Sequence, residues 1–180
     1  MRKLTVLLMA GVTCAAVFGD VPGSVKATSG ETHTGNVRWS TRDKAYVVTK
    51  GNVELQVKEA DVDVLDIDKP AGFDAAADQV QKGQGAAAIP ALQKITKEYQ
   101  HLQWDKIAGR YLAEAYIAAG KAEDALKTCQ GIISGEPIAA FKGELAPAYW
   151  SSLLALNKTS ALEAALSKAA KSGDHVLNGI

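Results

Sequence analysis

Cysteine is scarce in this sequence, which holds only Cys14 and Cys129 among its 180 residues. Cys14 lies in an N-terminal segment that we expect to be removed, so the mature chain should contain one cysteine and no intrachain disulfide. A chain of this length can bury a sufficient core without such a cross-link. Free cysteine usually packs as a small hydrophobic residue, and no histidine is near Cys129 in the sequence, so we expect it in the core rather than in a catalytic site.

The chain also lacks an excess of charge of either sign, because 20 lysines and arginines face 20 aspartates and glutamates. A nucleic-acid-binding protein needs a basic surface to offset the charge of the phosphates. The balanced composition therefore predicts no nucleic-acid partner.

Sequence motifs of catalysis and of metal binding are missing as well. The chain contains no Gly-x-x-x-x-Gly-Lys-Ser/Thr, Gly-x-Gly-x-x-Gly or Gly-x-Ser-x-Gly pattern. His33, His101 and His175 are scattered, and no two of them stand at a metal-ligand spacing. Residues 61–68 hold four aspartates, but apolar residues intervene and no calcium-loop glycine follows, so an acidic outer strand face explains them better. We predict a non-catalytic protein without metal or cofactor.

The N-terminus has the order of a secretory signal peptide. Arg2 and Lys3 precede an apolar run over residues 4–18 that ends in small residues. The run is shorter than the ~20 apolar residues of a membrane-spanning helix. We therefore interpret residues 1–19 as a signal peptide and predict export to the periplasm or cell envelope, with no stable membrane span after cleavage.

Cleavage is expected near Ala16 or Gly19. Two alternatives stay open: the segment is retained as an anchor, or it is lipidated through Cys14. The second fits less well, because a small residue is preferred before a lipidated cysteine and Thr13 stands there.

Residues 20–69 show the period of β-strands. In "NVELQVK", Val53, Leu55 and Val57 alternate with polar residues, which predicts a strand with one buried face. "SVKAT", "GNVRW", "AYVVT" and "VDVLDI" give four more strands, separated by turn-forming stretches. Because a flat five-stranded sheet would leave two solvent-exposed edge strands and bury little core, we expect the strands to curl into a small barrel.

The stretches "VKATSGETHTGNVRW" and "KGNVELQVKEADVDVL" resemble the SH3-like or Sm-like small barrel near the front of many bacterial envelope proteins. The resemblance implies a one-turn helix at "KEAD" before the last strand. Trp39 is expected to fill the barrel. Trp39 and Tyr46 are also the candidates for a binding surface on it.

Residues 70–180 change to a helical period rich in alanine, after a joint formed by the proline and glycine of residues 69–72. In the stretch 111–137, Ala113 and Ala125 are small residues suited to the crossing of two closely packed helices. Gly120 is expected to end the first helix and Pro137 to stop the second.

The spacing in this stretch resembles the tetratricopeptide repeat, and it is carried by Leu112, Ala113, Tyr116, Gly120, Ala125, Cys129, Ile132 and Pro137. The chain departs from the pattern at Gly109, Cys129 and Ile132, which concerns packing more than fold. A single repeat cannot bury its own face, so we expect two to three helical hairpins in all. In the last one, Ser160 and Glu163 predict a capping box and a helix start near Ala161.

The resemblance implies a groove lined by the first helix of each pair. By helical phase its candidate residues are Arg110, Glu114, Ile117 and Trp150. For Trp150 the favoured alternative is a core position between the last two hairpins, because aromatic residues at helical spacing usually bury.

Two functions remain open at this point, and a small hydrolase is a third that no motif supports. The first is an exported, non-catalytic interaction or scaffold module that binds another envelope protein, or itself, through the helical groove. The alternative is a cell-wall or glycan-binding module that acts through the barrel. For either function we expect the same α+β fold, with a five-stranded SH3-like barrel before an all-α tetratricopeptide-like stack.

Overall fold

The computed structural model describes residues 20–172, and within them the chain folds as a five-stranded antiparallel sheet followed by six α-helices. The fold is therefore α+β with the sheet at the N-terminal side. The predicted signal peptide at 1–19 and His175 lie outside the described residues. In the described range, none of the helices is long and apolar enough to cross a membrane.

The strands lie where the alternating pattern predicted them. They are β1 (Val21–Ala27), β2 (Thr32–Ser40), β3 (Ala45–Lys50), β4 (Val53–Lys58) and β5 (Val62–Ile67). A one-turn 3-10 helix, Glu59–Asp61, stands before β5, as predicted from "KEAD".

The sheet has the strand order β4-β3-β2-β1-β5, and every pairing is antiparallel. Strands β2, β3 and β4 follow β1 as consecutive hairpins, whereas β5 returns to the free side of β1. Among the described residues β4 and β5 each pair with one neighbour, so they are the two edges of the sheet. The β3–β4 turn is a two-residue loop in which Gly51 has a φ of +61°, a conformation that glycine adopts without strain.

The buried face of the sheet is narrower than the alternation of β4 predicted. Val57 is buried, but Val53 is 68% exposed and Leu55 is 38% exposed. The expectation of one buried face along the whole strand is therefore wrong at this end, because β4 is an edge strand that runs beyond the core cluster of the sheet.

The helices are α1 (Phe73–Gln81), α2 (Gly85–Glu98), α3 (Trp104–Ala118), α4 (Ala122–Gly135), α5 (Ala146–Ala155) and α6 (Thr159–Ser172). Each helix packs on the next along the chain, and α3 also contacts α1 and α5. Gly120 follows the end of α3 with a φ of +72°, and α4 ends before Pro137, both as predicted.

Small residues allow the helices to approach closely. Ala113 and Ala125 are fully buried in the helical core, as expected of crossing points. Gly85 and Gly109 act in the same way. A Cβ atom on Gly85 would lie 2.8 Å from the carbonyl oxygen of Ala115, and one on Gly109 would lie 2.6 Å from Cδ1 of Ile132.

The predicted capping box at the last helix is wrong. Helix α6 begins at Thr159, so Ser160 lies inside its first turn and cannot act as the residue that precedes the helix. Pro90 is the sixth residue of α2 and is accommodated within that helix.

The loop between α2 and α3 joins the two parts of the fold. Its Leu102 is fully buried among the valines of the sheet. Trp104, the first residue of α3, donates its indole N–H to the carbonyl oxygen of Ile67 at 2.8 Å, and its ring packs edge-on against Phe73. The core of the sheet is therefore completed by a residue from the helical part.

Candidate functional site

A cleft of about 800 Å³ lies between the sheet and the facing ends of α3 and α4. The sheet side is contributed by β2, β3, β5 and the one-turn helix, and the opposite side by the α2–α3 loop and the two helix ends. Its lining consists of Trp39, Thr41, Lys44, Tyr46, Glu59, Val62, Asp63, Leu65, His101, Gln103, Asp105, Lys106, Ile107 and Gly135.

One wall of the cleft is aromatic. Trp39 and Tyr46 are directly opposite each other on β2 and β3, with ring centroids 4.9 Å apart. The ring of His101 lies 5.2 Å from that of Trp39. The Tyr46 hydroxyl donates to the backbone carbonyl of His101 at 3.3 Å. Both predicted barrel residues therefore lie in one site, together with a histidine from the helical part.

Trp39 differs from the other two tryptophans in its hydrogen bonding. The indole N–H of Trp104 donates to Ile67, and that of Trp150 donates to the carbonyl oxygen of Ala140 at 2.9 Å. Trp39 is only 8% exposed, yet its indole N–H has no acceptor among residues 20–172. Although the residue is buried, this N–H is reached by solvent, so Trp39 brings an unused donor to the wall of the cleft.

Carboxylates face this aromatic wall from three elements. Asp63 forms an ion pair with Lys26 at 2.7 Å. Asp105 accepts hydrogen bonds from the backbone N–H groups of His101, at 2.8 Å, and Lys106, at 2.9 Å, and so fixes the loop at the start of α3. Burial, and then the charges of Glu59 and Asp105, raise the pKa of Tyr46 to about 12. Its hydroxyl therefore stays protonated near neutral pH and remains a donor.

A second, smaller hollow of about 200 Å³ lies further along α3, next to the segment that precedes α5. Arg110 lines it with Nε buried and without a hydrogen bond. Nε is 3.7 Å from a carboxylate oxygen of Glu144, while Nη1 is 4.0 Å from one of Glu114. The guanidinium also lies over the ring of Tyr111, 4.2 Å from its centroid. Arg110 is thus held by ion pairs and by stacking, and its Nε–H remains available to donate a hydrogen bond.

Glu114 has an altered acidity in this setting. Burial raises the pKa of its carboxyl above the ordinary value, Arg110 opposes the rise, and Glu144 adds to it. The two candidates Arg110 and Glu114 therefore interact with each other, one helical turn apart.

The two hollows share a border. Lys106 and Ile107 line both of them, and Lys106 forms an ion pair with Glu136 at 2.5 Å. We call the cleft and the smaller hollow together the α3 groove. It runs from Trp39 past Lys106 to Arg110.

The other predicted groove residues lie elsewhere. Ile117 is partly buried and packs against the helical core. Trp150 is 5% exposed and packs with alanines of α5 and α6, so it is a core residue and does not line the α3 groove. The favoured alternative for Trp150 is the one that the structure shows, because its indole is fully used in packing and hydrogen bonding.

Sequence reasoning missed several residues of the site. His101, Asp105, Lys106 and Ile107 are brought to the sheet by the α2–α3 loop. No motif marks them. The one available signal was the presence of Leu102 and Trp104, two large apolar residues in the otherwise polar stretch 100–106.

Cys129 is a core residue, as expected. It is fully buried in the helical core. Burial raises the pKa of its thiol to about 11, against an opposing hydrogen bond with Ser152. Within the described residues, no three histidine, cysteine, aspartate or glutamate side chains are grouped so that they could hold a metal ion.

Comparisons with known proteins return no match: no family model, no curated protein and no solved structure is significantly similar to this chain.

Proposed function

We propose that this protein is an exported, non-catalytic interaction module that holds a segment of a partner in the α3 groove. The partner would be another protein of the cell envelope or a second copy of the chain. The observation that carries the proposal is that the two hollows adjoin at Lys106 and Ile107, so that one extended segment would reach both.

The chemistry of the groove fits an extended peptide segment. Aromatic rings line one end, and Ile107 is an exposed apolar residue midway. Unused donors are present at both ends, on Trp39 and on Arg110. A peptide offers a carbonyl acceptor at every residue, which suits donors spaced along a groove.

The proposal also covers the fold: the sheet would be an SH3-like small barrel and the helices a tetratricopeptide-like stack. The strand order β4-β3-β2-β1-β5 and the one-turn helix before β5 support an SH3-like small barrel, which would be open because β4 and β5 do not pair in the described chain. Consecutive packing of the helices, with α3 also against α1 and α5, supports a tetratricopeptide-like stack.

A second candidate is a glycan-binding module that acts through the sheet end of the groove. It is favoured by the aromatic pair of Trp39 and Tyr46 beside an unused indole N–H, because sugars offer hydroxyl acceptors and apolar ring faces. The burial of Trp39 leaves little ring face for stacking, so we rank this function second.

Site-specific photo-cross-linking in the bacterial envelope tests the first function. A photoreactive residue at Ile107 should yield a defined adduct with one protein. The same residue at Leu154, an exposed apolar position on α5 outside the α3 groove, should not. Equal adducts from both positions, or none from Ile107, would contradict the proposal. Recovery of the chain in the periplasmic fraction with a processed N-terminus checks export.

Sedimentation with purified peptidoglycan separates the two functions. Glycan binding predicts that the chain co-sediments. It also predicts that Trp39→Phe, which keeps an aromatic ring but removes the N–H, reduces the co-sedimenting fraction, whereas Arg110→Ala does not. Peptide binding predicts no co-sedimentation and a loss of the Ile107 adduct in Arg110→Ala.

A further inference from the structure

Strand β4 is an edge of the sheet whose outward backbone groups are free. The backbone N–H of Glu59 donates to the carbonyl oxygen of Lys44 at 3.0 Å, so residue 59 points its backbone toward β3. Since this direction alternates along a strand, Glu54, Gln56 and Lys58 point theirs away from β3. In the described chain no group accepts from or donates to these outward amides and carbonyls.

Strand β4 also lacks the features that normally protect an edge. It has no proline and no bulge, and both Val53 and Leu55 on its apolar side are exposed. The opposite edge is protected. Its pairing of β5 with β1 is irregular next to Lys26, and β5 carries Asp63 and Asp66 with no basic residue. An antiparallel pairing of β5 with itself would therefore bring four carboxylates to the shared edge, with no basic side chain of β5 to offset them.

The side chains of β4, in contrast, are complementary to themselves. When two copies of the strand pair antiparallel with Gln56 opposite Gln56, Glu54 of each copy stands opposite Lys58 of the other. These are the residues whose backbone groups point outward, so the charged pairs coincide with the hydrogen-bonding positions. On the other face, the two Leu55 side chains become diagonal neighbours and cover each other.

Lys58 is available for this contact. It is exposed and has no ion-pair partner within residues 20–172. Glu54 bonds to Arg38 at 3.1 Å, but its side chain is 55% exposed and keeps a second carboxylate oxygen.

We propose that the protein forms a two-fold dimer in which the β4 strands of two copies pair antiparallel about Gln56, with Glu54 of each opposite Lys58 of the other. The pairing is closed: each copy uses the same strand, so it stops at two chains and gives one continuous sheet of ten strands. It does not depend on the α3 groove, whose lining includes none of these three residues.

Sedimentation velocity of the full chain over a concentration series tests the dimer. Lys58→Glu places Glu54 opposite a glutamate twice, and Glu54→Lys places a lysine opposite Lys58 twice. Each variant should weaken dimerisation by roughly ten-fold. Lys127→Glu, the same charge change on α4, should leave it unchanged.

An equimolar mixture of Lys58→Glu and Glu54→Lys gives the decisive result. In the mixed dimer both cross-strand pairs again join opposite charges, so the mixture should dimerise as tightly as the wild type, although each variant alone dimerises about ten-fold more weakly. A variant that failed to fold would not be rescued in this way. As a backbone test, Gln56→Pro removes one outward N–H without breaking the β3–β4 ladder and should also give monomers.

A wild-type chain that stays monomeric throughout the series overturns the proposal, as does a dimer that Lys58→Glu does not weaken. Assemblies larger than two that persist in Arg110→Ala, a variant altered in the α3 groove, would also overturn it, because a closed pairing of β4 stops at two chains. Absence of rescue in the mixture would show that charge across β4 does not hold the dimer.

Discussion

The backbone N–H of Trp104 donates a 2.8 Å hydrogen bond to the carbonyl oxygen of Leu102, only two residues earlier. Gln103 between them has φ +68° and ψ −46°, so the three residues form a γ-turn of the strained, positive-φ kind. The turn points Leu102 into the sheet and lets Trp104 begin α3 while reaching Ile67. The strained turn therefore places the two contacts that hold the helices against the sheet, and these contacts offset its cost.

Glycine at this turn should stabilise the protein. Gln103→Gly removes the Cβ that makes positive φ unfavourable, and we expect the free energy of unfolding to rise by about 1 kcal/mol. Gln100→Gly, in the same loop but without positive φ, should lower it by about 0.5–1 kcal/mol. Urea denaturation followed by circular dichroism measures both. Equal effects of the two substitutions would show that the turn is not strained.

Leu102 should contribute as much to the stability of the protein as a core residue that belongs to the sheet. Leu102→Ala removes a fully buried side chain from the sheet's core, and we expect a loss of about 2–5 kcal/mol in the free energy of unfolding. Leu154→Ala, at an exposed position, should change it by less than about 0.5 kcal/mol. If Leu102→Ala were as mild as its control, the sheet would not depend on the loop.

Two glycines in helices should respond to alanine with opposite signs. Gly85→Ala puts a Cβ 2.8 Å from a backbone oxygen of α3, which cannot move aside as a flexible side chain could, so we expect a loss of about 1–3 kcal/mol. Gly131→Ala in α4 meets nothing within 4 Å and should gain about 0.5–1 kcal/mol from helix propensity. Thermal unfolding of the two variants measures the difference. A gain at Gly85 would contradict the close approach of α2 and α3.

The parts of the fold that could be predicted are those that depend on residues close to one another in the sequence. Alternation in "NVELQVK" and "GNVRW", together with short apolar segments bounded by turns, placed all five strands, and Gly120 and Pro137 marked helix ends. The failures have physical causes. Alternation predicts which side chains share a face but not how far the core extends, so Leu55 was expected to be buried.

The candidate site was predictable only in part, because it is formed by contacts between residues far apart in the sequence. Trp39 and Tyr46 pair across neighbouring strands, a contact that hairpin register makes accessible to sequence reasoning. His101 and Asp105 reach the same cleft through a turn with unusual dihedral angles that no glycine marks. Charged and polar residues in such a loop carry no periodic signal.

The buried thiol of Cys129 should make stability fall at alkaline pH. Its pKa is about 11 in the folded protein against an ordinary 9.0, so the folded state holds the thiol proton more tightly than the unfolded state does. The resulting stabilisation is complete below about pH 9 and is lost as the pH rises toward 11. Between pH 8 and pH 10.5, we expect the wild type to lose about 1–2 kcal/mol more than Cys129→Ala, which has no thiol to ionise.

Urea denaturation of both proteins at several pH values, with a reducing agent present, measures this difference. Tyrosine and lysine titrations contribute to both curves and cancel in the comparison. The two curves should diverge only above about pH 9, since below it the thiol is protonated in both the folded and the unfolded states. Parallel curves would mean that Cys129 ionises as readily in the folded protein as in the unfolded chain, which is incompatible with a fully buried thiol in a closely packed helical core.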